Sequence, residues 1–231
     1  MKLINHEIED ELQNTGVDLV RFLDVSELAD AQNRSLPTVI LIGIAISPKF
    51  VQEIFDNPDY MPTHGDAYIQ TEKKTGEVTD ALARFLTDKG HKAISQSDAG
   101  LIADMAFNFD KKESVLPHKT VAVLGGLGWI GKNNLLITPE YGAAQCLGTL
   151  LTDAPLETST PERLLSKCGN CRICTDICEK KVLKGKVWDT TVSRDEIIDV
   201  HGCSICLKCL VHCPQTQAYI KRNQDLLTTI E

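Results

Sequence analysis

Eight of the nine cysteines fall into two runs of identical spacing, Cys168-x2-Cys171-x2-Cys174-x3-Cys178 and Cys203-x2-Cys206-x2-Cys209-x3-Cys213, the second followed by Pro214. A [4Fe–4S] cube needs four thiolates. A tight loop with two-residue spacing supplies three of them, and the fourth has to approach from elsewhere; in two-cluster modules the last cysteine of each run serves the other cube. The spacing therefore assigns Cys168, Cys171, Cys174 and Cys213 to one cluster, and Cys203, Cys206, Cys209 and Cys178 to the other. The chemistry to expect is one-electron transfer. A pair of structural zinc sites is the competing reading, but zinc takes four ligands, usually as two separated CxxC pairs. Four cysteines within 11 residues are more than one tetrahedral ion asks for. The runs differ at one point: Glu179 follows the first, where a proline often stands.

Composition narrows the class. A chain of 231 residues buries one good core and a smaller appendage. Its charged opening, Met1-Lys2-Leu3-Ile4-Asn5-His6-Glu7, lacks the apolar stretch of a secretory signal. Residues 39–46, the longest apolar run, are far too few to span a bilayer. Nine cysteines without an export signal point to a reducing, cytoplasmic setting, and no membrane partner is expected. The net charge of −8 argues against a nucleic-acid binder. The basic residues around the first run (Arg163, Lys167, Arg172, Lys180, Lys181, Lys184, Lys186) alternate with acids, and they read as compensation for the negative charge of thiolate-ligated clusters.

The elements that must position these cysteines follow from periodicity. An amphipathic helix near the start should lead into a short strand over 18–23. The β-branched run 39–46, between Pro37 and Pro48, reads as a buried strand. Ser47 and Pro48 open a helix through Phe55. After a loop over 56–62, helical spacing covers 66–89, with a strand at 91–95 and a helix near 101–107. Thr120-Val-Ala-Val-Leu124 reads as another strand. The resulting expectation is an α+β fold: a mixed-sheet core with flanking helices over 1–157, and a two-[4Fe–4S] ferredoxin-like cluster domain over 158–231, with residues 153–161 as the linker.

Gly125-Gly-Leu-Gly-Trp-Ile-Gly-Lys-Asn-Asn134 imitates two phosphate-binding motifs. Gly126-x-Gly128-x-x-Gly131 matches the dinucleotide fingerprint but lacks the acid that should end a following strand. Gly126-x4-Gly131-Lys132 resembles a P-loop but has Asn133 where the magnesium-binding Ser or Thr belongs. Two readings of the glycines remain open: close approach of backbone to a ligand, or a turn that only glycine can trace. Trp129 either packs in the core or touches a ligand. His118 and Lys119 either face the same ligand or are solvated. Cys146 reads as a buried filler, and Trp188 as a shield for a cluster.

The stretch Leu124-Gly-Gly-Leu-Gly-Trp-Ile-Gly-Lys-Asn-Asn-Leu-Leu-Ile137, then Pro139-Glu-Tyr-Gly142, then Leu147-Gly-Thr-Leu-Leu-Thr-Asp-Ala-Pro-Leu156 and the two cysteine runs, in that order, resembles the epoxyqueuosine reductase family. It is most similar to short iron–sulfur proteins related to that family and to reductive dehalogenases. The resemblance implies a core that binds a corrinoid (cobalamin), with two [4Fe–4S] clusters feeding electrons to its cobalt, and reduction of an epoxide on a tRNA nucleoside. It places Gly126, Gly128, Trp129, Gly131 and Lys132 close to the corrinoid. It also implies an electron donor such as a ferredoxin or flavodoxin and a small-molecule or nucleoside substrate. Three departures bear on the reaction. The family's catalytic aspartate precedes the glycine loop in an Asp-[Ser/Thr]-x-Pro context, but here Asp110-Lys-Lys-Glu113-Ser-Val-Leu-Pro117 stands in that window, with Glu113 nearest by counting, so the catalytic residue is unassigned. The chain ends at Glu231, soon after the second run, where the family adds a helical-repeat domain that helps bind tRNA. The acidic balance does not suit whole tRNA. No Asp-x-His-x-x-Gly motif offers a histidine to cobalt. The alternative from another class is an electron-transfer or redox-responsive protein with no corrinoid.

Overall fold

The computed structural model describes residues 4–159 and 161–228. In chain order the elements are α1 (Ile4–Leu12), β1 (Leu19–Asp24), α2 (Asp30–Asn33), β2 (Thr38–Ala45), α3 (Pro48–Asp56), α4 (Ala67–Asp88), β3 (Ala93–Ser95), α5 (Asp98–Ala103), β4 (Phe107–Asn108), β5 (Glu113–Ser114), α6 (His118–Leu124), β6 (Trp129–Ile130), β7 (Leu136–Ile137), β8 (Gln145–Thr152), α7 (Ile173–Ile177), a 3-10 turn (Arg194–Glu196), α8 (Lys208–Val211), α9 (Pro214–Arg222) and α10 (Gln224–Thr228). The class is α+β, as expected. The expected boundary at 157/158 is not where the chain divides. One compact unit comprises Met1–Ile44, Thr71–Gly125 and Cys146–Glu162; the other comprises Ala45–Gln70, Gly126–Gln145 and Arg163–Glu231. The cysteine region is thus built with two earlier segments, which a contiguous reading of composition does not reveal.

The first unit is organised on a four-stranded sheet of order β1-β2-β8-β3, in which β1 pairs β2 and β3 pairs β8, both antiparallel. Its core joins Ile8 and Leu12 of α1, Ile40 and Ile42 of β2, Leu82 and Leu86 of α4, and Leu150 of β8. The apolar stripes of α1 and α4 meet this β-branched face, which is what holds two amphipathic helices on a sheet. At Gly148 the approach is closest: a Cβ there would lie 2.1 Å from Thr79 Oγ1 of α4. Glycine is what lets the helix sit on the central strand.

Two local expectations fail. Thr120–Leu124 is not a strand but lies in helix α6, with Pro117 at its N-cap and Val121, Ala122 and Val123 buried. The β-branched residues satisfied the strand signal, but burial on a short helix uses them equally well. The helix expected at 101–107 starts earlier, at Asp98. Ser97 caps it by accepting a hydrogen bond from the Gly100 N–H, and Phe107 falls in the β4–β5 hairpin.

In the second unit Pro48 occupies the first turn of α3, as expected, although Ser47 makes no side-chain cap. Phe55 of α3 packs on the His212 ring at 4.7 Å between centroids. Helix α9 begins directly after Cys213 and docks on the loop over 138–146. The Ala143 N–H donates to Thr216 Oγ1 at 2.9 Å, the Tyr219 hydroxyl to the Ile46 carbonyl at 3.0 Å, and Arg222 to the Pro139 carbonyl at 2.9 Å. No helix among the described residues is long and apolar enough to cross a membrane.

Candidate iron–sulfur centre

Trp129, Lys132, Asn133, Ile137, Lys167, Cys168, Cys171, Cys174, Cys213, Pro214 and Gln215 line a cavity of about 60 Å³ in the second unit. Three elements supply its walls: the β6–β7 hairpin, the first cysteine loop and the start of α9. Cys213 of the second run thus stands with three cysteines of the first. Burial pushes the Cys174 thiol up to about 11, with further upward contributions from Cys168, Cys213 and Cys171. Burial also pushes Cys209 up, and its cysteine neighbours are Cys206, Cys203, Cys174 and Cys178. Cys174 lies in both neighbourhoods; the first otherwise joins Cys168, Cys171 and Cys213, and the second Cys203, Cys206 and Cys178. Thiols crowded and buried in this way ionise when a cation is at hand to take the charge. Among the described residues no three His, Cys, Asp or Glu side chains are grouped to hold a single metal ion.

The glycine loop is the brace for both cysteine runs. The Lys132 ammonium donates to the carbonyls of Gly169 at 2.7 Å and Cys171 at 3.0 Å, pinning the first run. Its neighbour Asn133, buried, donates from Nδ2 to the Cys209 carbonyl at 3.2 Å, pinning the second. Asn133 spoiled the P-loop match, and sequence reasoning gave it no role. The hairpin beneath requires Gly128: a Cβ there would lie 2.0 Å from the Ile137 carbonyl oxygen. A Cβ at Gly131 would meet Asn133 Oδ1 at 2.8 Å, and Gly126 takes φ +65°. The glycines trace a turn. The dinucleotide fingerprint also loses its strand, because a helix precedes it.

Local devices shape the cysteine loops. Glu179, at the position where the proline was missing, pairs with Lys208 of the second run, and that hydrogen bond lowers its carboxyl below the usual range. Asp199 Oδ1 accepts from the His201 N–H at 3.0 Å and the Gly202 N–H at 3.3 Å, forming a turn into Cys203. Ile205 and Leu207 sit at φ +55° and +58°. For a β-branched residue such as Ile205 this costs on the order of 1–3 kcal/mol, and it persists only where the surroundings over-determine the loop.

The residues present fit a four-iron cube: four thiols around a space for a compact group, two lysines lining it, and the indole Nε1 of Trp129, a buried donor with no partner. The five residues that the resemblance places near a corrinoid are divided in the fold. Of the five placed near one, Trp129 and Lys132 belong to the cysteine cavity, and Gly128 and Gly131 are closed against Ile137.

The first unit holds a separate polar network. The buried Thr149 hydroxyl accepts from Gln96 Nε2 at 2.7 Å and lies 2.8 Å from His118 Nδ1. Burial lowers His118 to about 4, against an opposing pull from Asp98. Crowding, then Asp98, raises the Glu72 carboxyl, although Glu72 keeps solvent-facing surface. Burial, then Glu72, raises Cys146 to about 12, which suits an inert filler. Glu113 lies exposed on β5, and Trp188 is half-buried outside the lining of the cysteine cavity.

Known proteins share both the sequence and the fold. An epoxyqueuosine reductase from Lactococcus garvieae is 30% identical over 155 residues, covering 64% of this chain and 39% of that protein. One from Listeria monocytogenes is 47% identical over 71 residues, covering 31% and 18%. The chain is similar to epoxyqueuosine reductases. It spans well under half the length of these relatives, and no family model matches it. In fold it is similar to a catabolic reductive dehalogenase, with a TM-score of 0.71 at 14% identity over 99% of this chain and 35% of that one. The epoxyqueuosine reductase of Streptococcus thermophilus gives 0.55 at 18% identity over 93% and 66%. Another similar reductive dehalogenase structure is described as bearing on B12-dependent dehalogenation, with a TM-score of 0.68 at 15% identity over 98% and 35%.

Proposed function

We propose that this protein is a cytoplasmic iron–sulfur reductase of the epoxyqueuosine reductase type, in which two [4Fe–4S] clusters deliver electrons to a reductive site. The observation that carries the reading is the cavity shared by Cys168, Cys171, Cys174 and Cys213, because it joins the two runs in the crossed manner of two-cluster modules. A cube bound there supplies one-electron transfer. The chain's own part is positional. Lys132 and Asn133 hold the two cysteine loops to one hairpin, α9 presents Cys213 from the opposite wall, and the lining limits water around the sulfurs. The basic residues near the first run would receive an acidic donor of the ferredoxin or flavodoxin kind.

A corrinoid as electron acceptor rests on the likeness to a structure described in terms of B12-dependent dehalogenation. The substrate proposed by the likeness to epoxyqueuosine reductases is an epoxide-bearing nucleoside rather than whole tRNA, given the net charge of −8.

The test is a count of iron and cobalt on protein purified without oxygen from cells supplied with cobalamin. About eight irons and one cobalt per chain is the expected result. About eight irons without cobalt removes the corrinoid and leaves an electron carrier; zinc in place of iron overturns the reading.

A further inference from the structure

Trp129 lies on β6 with 3% of its surface exposed, and it lines the cavity with Cys168, Cys171, Cys174 and Cys213. Its Nε1 is the one buried side-chain nitrogen or oxygen among the described residues that lacks a hydrogen-bond partner. An indole N–H can only donate, and burying it unmet forfeits its hydration with no return. Of the polar groups beside it, the Lys132 ammonium is itself a donor, while Asn133 already uses both ends, Nδ2 on the Cys209 carbonyl and Oδ1 on the Leu135 N–H. Gln215 also lines the cavity but does not accept from the indole; what the indole lacks is an acceptor, and the group that four thiolates would hold there is rich in them, since thiolate and inorganic sulfide are both anionic sulfur.

Resting on the reading above, we infer that the Trp129 Nε1–H donates to a sulfur of the cluster held by Cys168, Cys171, Cys174 and Cys213, and so raises that cluster's reduction potential relative to its neighbour's. Reduction adds one electron and therefore one negative charge to the cube, with no bond made or broken. A donor aimed at sulfur stabilises the more negative state more, and hydrogen bonds to the sulfurs are among the determinants of cluster potential. Trp129 lines the cavity of this set only; the other set has a backbone donor of its own, the Ile205 N–H to Cys203 Sγ at 3.5 Å, and Trp188, the second tryptophan, does not line this cavity. Trp129 is on this account a tuning residue: it moves no electron itself but decides which cube holds one.

The experiment is a redox titration followed by electron paramagnetic resonance, on the full iron-loaded chain and on Trp129→Phe, with Trp188→Phe as the comparison. Expected is a roughly tenfold loss in the reduction equilibrium constant of one cluster, about 59 mV downward for a one-electron couple, with the other cluster unmoved. No shift in either cluster of Trp129→Phe, or an equal shift in both, overturns the inference. Should Trp129→Phe fail to hold iron, indole-15N tryptophan in the Trp188→Phe background decides the matter: a 15N hyperfine coupling on one of the two reduced signals supports the contact, and its absence refutes it. The iron count separates the two levels of argument. A wild-type chain without about eight irons sinks the proposed function, whereas about eight irons with unshifted potentials sinks only the role of Trp129.

Discussion

Removing Cys213 should empty the cluster of the first run, although Cys213 belongs to the second. Cys213 lines the cavity with Cys168, Cys171 and Cys174, and Cys178 lies near Cys209 together with Cys203, Cys206 and Cys174. Iron stoichiometry turns this into arithmetic. The wild type should hold about eight irons, and Cys168→Ala or Cys213→Ala alone about four. If both serve the same cube, the double variant Cys168→Ala/Cys213→Ala still holds about four. If each run served its own cube, the same double variant would hold none. Cys168→Ala/Cys178→Ala gives the mirror image, near zero under crossed ligation and about four otherwise. Iron is counted after a chelator challenge, so that cubes left with three protein ligands are stripped and each single variant reads cleanly. An empty Cys168→Ala/Cys213→Ala double beside a four-iron Cys168→Ala/Cys178→Ala double would refute the crossed arrangement.

Three further outcomes follow from named contacts. Gly128→Ala drives a Cβ to 2.0 Å from the Ile137 carbonyl oxygen; overpacking of this kind costs about 3 kcal/mol, or about 6–12 °C in Tm for a chain of this size. Because the hairpin carries Lys132 and Asn133, iron should be lost with it; calorimetry with full iron retention and an unchanged Tm would contradict the brace. Ile205→Gly relieves φ +55° at an exposed position, so a gain of about 1 kcal/mol, read as a rise of about 2–4 °C in Tm, is expected without loss of iron. His118 protonates near 4 in the folded chain and near 6.5 when unfolded. Between those values the unfolded state binds more protons, so stability falls as pH drops from about 6.5 to about 4, by at most about 3 kcal/mol from this residue and less to the extent that the ring meets solvent. His118→Gln should flatten the slope of Tm against pH across that window; an unchanged slope would refute the buried neutral ring.

Spacing carried the centre well because it is a covalent property of the chain. Two residues between thiols fix which sulfurs can share a loop whatever the surrounding fold does, and Cys213 of the second run lines one cavity with three cysteines of the first. The outer elements were legible for the same local reasons: Pro48 at the start of α3, the apolar stripe of α4 and the β-branched run of β2 each declare themselves over a few residues. What stayed hidden depends on partners distant in sequence. Strand β8, central in the sheet, carries Gln145, Gly148, Thr149 and Thr152, and the sequence reading gave it no element; α4 lying on Gly148 and Gln96 bonding to Thr149 are what fit it to the sheet. The discontinuous second unit is invisible for the same reason, because nothing in residues 45–70 or 126–145 announces the cysteines they will accompany.

The glycine loop shows how a motif can be noticed correctly and interpreted too narrowly. Glycines at 126, 128 and 131 invite a ligand, and a lysine after them invites a phosphate. In the fold their smallness serves a two-residue hairpin, and the residues that hairpin exports act on the cysteine loops: Lys132 on the first, Asn133 on the second, Trp129 on the cavity of Cys168, Cys171, Cys174 and Cys213. A substitution at Gly128 therefore cannot separate loss of an organic cofactor from loss of iron, since both would follow from a broken hairpin. Substitutions that leave the hairpin backbone intact can make that separation. Trp129→Phe alters one donor toward the sulfurs, and Lys132→Met removes one tie to the first loop while Asn133 keeps the second. If the loop's work is the support of iron, both variants disturb one cluster while leaving any cobalt content as it was. Cobalt lost from Lys132→Met with about eight irons retained would return the loop to the role its glycines first suggested.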